Sequence, residues 1–283
     1  MPVFAASRDH PDMPTAVRRL GASLFAGLLL VSLAGPAVAA LPIFDLTTLV
    51  QAEASLGELV NRERTTEGLV ALQLDPDAMT IARRRAETMA VADLLSHRNP
   101  DGSDVFDAIA AAGIPWFGAG EVIVWNNYAA APDSTAQAVS AWLGSPSHRS
   151  ILLSGDYNYV GFGAAVSPIS GNRYYAGVVL KRTDRTAAWA KASTTSTRVI
   201  DATHVRVTVR WTGGDPRLQV LTAGLRDYEV HRRVVGGAWR SLGFRTGTSV
   251  TETLPRARTY EYRIRARDRA GNRGPWVLVT VKV

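Results

Sequence analysis

Between residues 41 and 197 the sequence holds two histidines, His97 and His148, and a carboxylate, Glu121, in apolar company. Glu121 follows Gly118-Ala119-Gly120 and opens the run Val122-Ile123-Val124-Trp125, so its side chain is expected to enter a cleft rather than open solvent. Each histidine follows a stretch with helical apolar spacing and is expected in a loop just past a helix end, where function concentrates. Two imidazoles and one carboxylate are a donor set for a divalent metal, and equally a set for acid–base chemistry. No H-E-x-x-H spacing joins them, and satisfied structural hydrogen bonds are the alternative use of the same three residues. Other templates fail. Ser145 and Ser147 neighbour His148 without a G-x-S-x-G elbow, and there is neither a P-loop nor a dinucleotide fingerprint. Asp101, Asp104 and Asp107 lack the calcium-loop pattern and suit a helix N-terminus. The chain has no cysteine, which excludes disulfides, thiolate metal sites, a thiol nucleophile and a lipidated cysteine.

Apolar spacing predicts the elements that carry these residues. Asp45 is a candidate N-cap for a helix bearing Leu46, Leu49, Val50, Leu56, Leu59 and Val60. Asp75-Pro76 is an N-cap followed by proline at the first helical position, opening a second helix through Met79, Ala82, Ala86 and Met89 to about Leu95. Further helices are expected over Asp104 to Ala112 and Thr135 to Leu143, the last broken at Pro146. Strands are expected over Glu121 to Trp125, Tyr159 to Val166 and Arg173 to Lys181. The pattern is α+β, with helices over an antiparallel sheet.

Of 283 residues, 46% are hydrophobic and 20% charged, a globular composition that excludes a mostly disordered chain. Residues 1–40 read as a signal peptide. Arg18 and Arg19 precede an apolar run from Leu20 to Leu33, and Ala37-Val38-Ala39-Ala40 offers an A-x-A cleavage pattern. A retained anchor over Leu20 to Leu41 is the alternative. No later segment is long and apolar enough to span a bilayer, so the expected location is secreted, outside a bacterial cell. Charge divides the remainder: residues 41–197 carry 12 basic against 16 acidic groups, residues 198–283 carry 17 against 7. The domains expected are therefore 41–190, a polar linker at 191–197, and 198–283.

The segment Leu59-Val60-Asn61-Arg62-Glu63-Arg64 is followed by Ser96-His97 with Asp101-Gly102, and then by Gly120-Glu121. Trp142 with Ser145-Pro146-Ser147-His148-Arg149 comes next, and Val160-Gly161-Phe162-Gly163 closes the series. In that order, over roughly residues 45–183, they resemble the CAP superfamily (the SCP domain of cysteine-rich secretory, antigen 5 and pathogenesis-related proteins), in its bacterial extracellular branch. The resemblance implies an α/β/α sandwich with a cleft of two histidines and two acids, onto which His97, Glu121 and His148 map. The fourth position falls on Ser145, and Val122 stands where the family has asparagine. Serine is a poor zinc ligand beside carboxylate, so the expectation is that no cofactor is required and that any divalent zinc binds weakly. The family implies a ligand-binding module for lipids or envelope components. A metal-assisted hydrolase of envelope peptides or peptidoglycan, using His97, Glu121 and His148, is the alternative.

Residues 198–283 resemble a fibronectin type III domain, an all-β immunoglobulin-like sandwich. Trp211 follows the alternating Val205, Val207 and Val209; Tyr260 is the candidate tyrosine corner; Tyr260, Tyr262, Ile264 and Ala266 are expected inward with Arg263, Arg265 and Arg267 outward. Such an arginine row suits an anionic glycopolymer by forked hydrogen bonds, or is simply a solvated face. Nucleic acid is not an expected partner, and the oligomeric state is open.

Overall fold

Asp75 begins the second helix as its sequence dictates. In the computed structural model, which describes residues 4–8, 46–128 and 130–283, its carboxylate accepts the amide hydrogens of Asp77 and Ala78 at 3.0 and 3.1 Å. Helix α2 (Pro76–Ala92) follows, burying Ala78, Ile81, Ala82, Arg85, Ala86 and Met89 on one face, the three-and-four spacing of an amphipathic helix. It stops at Asp93, in left-handed backbone at φ 48°. The other helices are α1 (Leu46–Thr66), α3 (Val105–Ala111), α4 (Ala131–Gly144) and α5 (Pro146–Leu152). Asp104 and Asp107 form a capping box at α3, the helix-terminal role their spacing suggests. Asp45 and the cleavage pattern Ala37 to Ala40 lie outside the described residues.

The described residues divide into two compact units. One comprises residues up to Glu63, Leu74–Ser154 and Tyr159–Leu180; the other comprises Arg64–Gln73, Gly155–Asn158 and Lys181–Val283. In the first, β1 (Phe4–Arg8), β2 (Gln73–Leu74), β3 (Gly118–Asn126), β4 (Tyr159–Val166) and β5 (Arg173–Lys181) form a sheet in the order β1-β3-β5-β4-β2. β4 and β5 pair antiparallel from Tyr159–Leu180 to Val166–Arg173, and β1 pairs antiparallel with β3 from Phe4–Ile123 to Arg8–Ala119. β3, β4 and β5 are buried at odd and even positions alike, so both faces are covered. On one face of β4, Gly161 and Gly163 lie against the backbone of α2. On the other, Phe162 stacks on Trp142 of α4 at 6.1 Å. The result is helix on sheet on helix.

The C-terminal part of the second unit, residues 181–283, is an all-β region of two sheets, β10-β7-β6 and β12-β11-β8-β9. Their strands are β6 (Trp189–Val199), β7 (His204–Gly214), β8 (Leu225–Val234), β9 (Arg240–Arg245), β10 (Ser249–Pro255), β11 (Thr259–Asp268) and β12 (Val277–Lys282). Val205, Val207, Val209, Trp211, Tyr260, Tyr262, Ile264 and Ala266 meet in one core, as alternation predicts. The polar stretch 191–197 is not a linker: it lies within β6, paired with β7 from Trp189–Gly214 to Val199–Val205. β6 is a sheet edge with mostly exposed side chains, so its threonines and serines satisfy an edge strand as well as a linker. Tyr260 donates its hydroxyl to Pro255 O at 3.0 Å. Tyr260→Phe is expected to lower the unit's stability by about 1 kcal/mol, read by urea unfolding; an unchanged midpoint would show the bond to be idle.

Candidate functional site

Arg85 is the one charged residue on the buried face of α2, and it faces the carboxylate of Glu121 on β3. Both side chains are sealed, 2% and 0% exposed. Arg85 Nε donates to Glu121 Oε1 at 2.6 Å and Nη2 to Oε2 at 3.3 Å. The remaining edges of the guanidinium fasten the loop after α2: Nη2 donates to Ser96 O at 2.8 Å and Nη1 donates to Asn99 Oδ1. Asn99 in turn donates to Ser103 Oγ at 2.9 Å, and Ser103 Oγ donates to Asp101 Oδ1 at 2.6 Å. The hydroxyl and amide of Ser103 hold the Asp101 carboxyl below its usual range. Gly102 turns this loop at φ 85°, where a side chain is strained.

That loop presents His97. Its Nδ1 lies 2.5 Å from Glu121 Oε2. A carboxylate ion paired with arginine accepts only, so the proton of this bond sits on Nδ1. Glu121 thus orients the imidazole, while its own two oxygens are engaged by Arg85 and His97. The ring is 19% exposed, so of the three predicted residues only His97 reaches solvent.

His148 is not in a loop. Pro146, expected only to end the preceding helix, also begins α5 (Pro146–Leu152), with Ser145 at its N-cap. His148 is in the first turn of α5 and wholly buried. Ser145 is half-buried, its Oγ 3.2 Å from Ser147 Oγ. Among the described residues, the group of three candidate ligands whose donor atoms all lie within 4.8 Å of one another is Asp184, Asp215 and Asp268. His97, Glu121 and His148 do not form such a group. The donor set does not fit zinc. The Glu121 oxygens are already taken, and a guanidinium in contact with them repels a second cation. Arg85 and Asn99 are the members of this site that the motif reading missed. The available signal was a basic residue repeating in step with the apolar face of α2.

A second network seals the far end of β3. The Ser134 hydroxyl of α4 meets Asn126 Oδ1 at 2.5 Å and Tyr175 OH at 2.7 Å, and Asn126 Nδ2 donates to Ser134 O at 2.9 Å. Burial pushes the Tyr175 phenol up. These bonds fix β3, and with it Glu121, against α4 and β5.

The arginine row of the second unit points outward but is not free. Arg263 lies over Trp239 and Trp276 at 4.5 and 4.4 Å, Arg265 over Trp276 at 4.3 Å, and Arg267 over Phe244 at 4.1 Å. Arg265 pairs with Glu229 at 2.7 Å and Arg267 with Asp227 at 2.8 Å. Cation–π stacking and ion pairs within the sheet use the faces and edges that an anionic polymer would need.

Among the described residues no helix is long and apolar enough to cross a membrane; the candidate anchor lies outside them. Residues 58–179 match the cysteine-rich secretory protein family, CAP. Protein YkwD of Bacillus subtilis is 31% identical over 111 residues, 39% of this chain and 41% of that protein, so the chain spans about two fifths of that relative's length. Among solved structures, an outer surface protein of Borrelia burgdorferi has a TM-score of 0.42 and 18% identity over 47% of this chain and 94% of that one. An extracellular protein of Bacillus anthracis containing an SCP domain has a TM-score of 0.41 and 20% identity, covering 53% of this chain and 45% of that one. With the ordered motifs and the helix-on-sheet-on-helix layers in agreement with the family match, residues 58–179 form a CAP domain.

Proposed function

We propose that the chain is an extracellular or surface protein whose CAP domain binds an acyl-chain ligand of the cell envelope, joined to a fibronectin type III-like sandwich that serves as spacer or adhesin. The observation that carries the binding reading is a groove of about 560 Å³ whose lining includes Leu49, Glu87, Ala164, Val166, Pro168 and Ile169. Its volume falls in the range of small-molecule sites, and a mainly apolar wall with a few polar groups is their usual chemistry. Ile169 is 71% exposed at its rim, an apolar side chain left in water with a ligand-sized cavity beside it. The saturated carboxylate of Glu121 favours binding over metal-assisted hydrolysis. The extracellular placement rests on the apolar run Leu20 to Leu33 and the A-x-A pattern after it; cleavage there would remove β1 (Phe4–Arg8) from the edge of the sheet. Three- and four-stranded sheets, the Tyr260 hydroxyl bond and Trp211 packed edge-on to Tyr228 at 5.6 Å support the type III reading.

Displacement of a fluorescent fatty acid from the full chain tests this. The expected result is saturable binding, weakened at least tenfold in Ile169→Asp with an unchanged melting temperature, because that side chain contributes nothing to the core. No binding, together with His97-dependent release of fragments from peptidoglycan, would replace this reading with the hydrolase.

A further inference from the structure

The two C-terminal sheets treat their outward arginines differently. On β11, Arg265 and Arg267 pair with Glu229 and Asp227, and Arg263 lies over two indoles. The sheet β10-β7-β6 offers no such partners. Residues directly opposite in an antiparallel ladder share a face; Arg206 of β7 lies opposite Arg198 of β6, and Thr212 opposite Lys191. Arg206 and Arg210 alternate with the buried Val205, Val207 and Val209, so the four cations stand together on the outward face, and all are exposed. Ser196, Thr208 and Thr251 set hydroxyls between them. Neither β6 nor β7 contains an acid. The acid of β10, Glu252, lies opposite the buried Val207 and is taken by Arg232 and the Tyr262 hydroxyl. Asp201, in the turn between β6 and β7, accepts the amides of Thr203 and His204, both at 2.7 Å.

Stability does not account for this arrangement. Like charges directly opposite each other weaken a ladder, and Arg198 and Arg206 are such a pair. Charges that guard a sheet against stray pairing belong on its edges, yet Arg206 and Arg210 are on the central strand. A second observation points to the ligand. Trp189 lies opposite Gly214 on the same face and is 45% exposed. A Cβ at Gly214 would stand 3.4 Å from three atoms of the indole, so the glycine lets the ring lie close to the strand. We propose that the outward face of β10-β7-β6 binds an acidic polysaccharide. Guanidinium forks match its carboxylates, the sheet's hydroxyls match those of the sugars, and the amphipathic indole takes the apolar face of one sugar ring. From Arg206 to Gly214 the strand runs roughly 26 Å, which suits a linear polymer over a small anion. Single-stranded nucleic acid uses successive aromatic platforms, whereas this face offers the one indole. The inference rests on the adhesin role proposed for this region and does not involve the acyl-chain groove.

Calorimetric titration of the full chain with polygalacturonate, and separately with dextran and duplex DNA, decides the matter. The expected result is saturable binding of polygalacturonate at low ionic strength, weakened by added sodium chloride, with dextran and DNA each bound at least tenfold more weakly. Arg206→Gln combined with Arg210→Gln should weaken binding about tenfold or more and flatten its salt dependence. The same variant should melt no lower than the parent, because the repulsion from Arg198 is relieved. Trp189→Ser should weaken binding about threefold or more and leave the salt dependence unchanged, since it removes a stacking surface and no charge. Arg240→Gln with Arg245→Gln removes equal charge from exposed positions on β9 of the other sheet, and should stay within about twofold of the parent. Ile169→Asp, at the rim of the acyl-chain groove, should keep parental polysaccharide affinity, so the two readings fail separately. A parent that ignores polygalacturonate overturns the proposal, and so does equal binding of dextran or of DNA. Parental affinity in the β7 variant also overturns it, as does an equal loss in the β9 variant.

Discussion

Replacing Arg85 by methionine is expected to destabilise the first unit by about 3–5 kcal/mol, because the change leaves Glu121 as an uncompensated buried charge. The two side chains are 2% and 0% exposed and meet at 2.6 Å, so water cannot take over from the guanidinium. The loss should reach beyond the pair: without Arg85, the Ser96 carbonyl and Asn99 lose their donor, and the loop that presents His97 comes loose. The double variant Arg85→Met with Glu121→Met should recover most of the stability, since a buried ion pair exchanged whole for apolar side chains of similar volume is often neutral or stabilising. Urea unfolding of the first unit's transition measures both. A single variant costing less than about 1 kcal/mol would show that the pair is solvated, and with it would go the argument that Glu121 is unavailable to a metal.

The pair also shows what the sequence discloses and what it withholds. Local chemistry was legible: Asp75-Pro76 predicts the start of α2, and the boundaries of β4 and β5 follow from apolar runs closed by turn residues. The match over residues 58–179 upholds the family resemblance. Where one residue type serves two structures, reading the pattern failed. Pro146 ends one helix and begins the next, so the pattern does not disclose α5 and puts His148 in a loop. The threonines and serines of β6 are those of a linker as much as of an exposed edge strand. Glu121 was singled out, but its partner was not, because Arg85 lies 36 residues away and its place on the apolar face gains meaning only when the face has a strand opposite it.

That opposition depends on two residues without side chains. At Gly161 a Cβ would stand 2.1 Å from Ala78 C and Met79 N, and at Gly163 it would stand 2.2 Å from Ala82 C and O. Both obstacles are helix backbone, which cannot rotate aside as a side chain can. Gly161→Ala and Gly163→Ala must therefore lift α2 off β4, and each is expected to cost about 3 kcal/mol or more, the upper end of overpacking. Gly144→Ala is the control: its Cβ would meet nothing within 4 Å, at the last residue of α4, and it should be neutral or slightly stabilising. Ala82 precedes Arg85 by less than one helical turn, so a displaced α2 also draws the guanidinium away from Glu121. Gly163→Ala should then reproduce part of the Arg85→Met phenotype, and the two together should cost clearly less than their separate losses combined. Thermal and urea unfolding of the four proteins decides it. Full additivity would mean that the close approach of α2 and the Arg85–Glu121 pair are independent, and that the glycines serve packing without positioning the site.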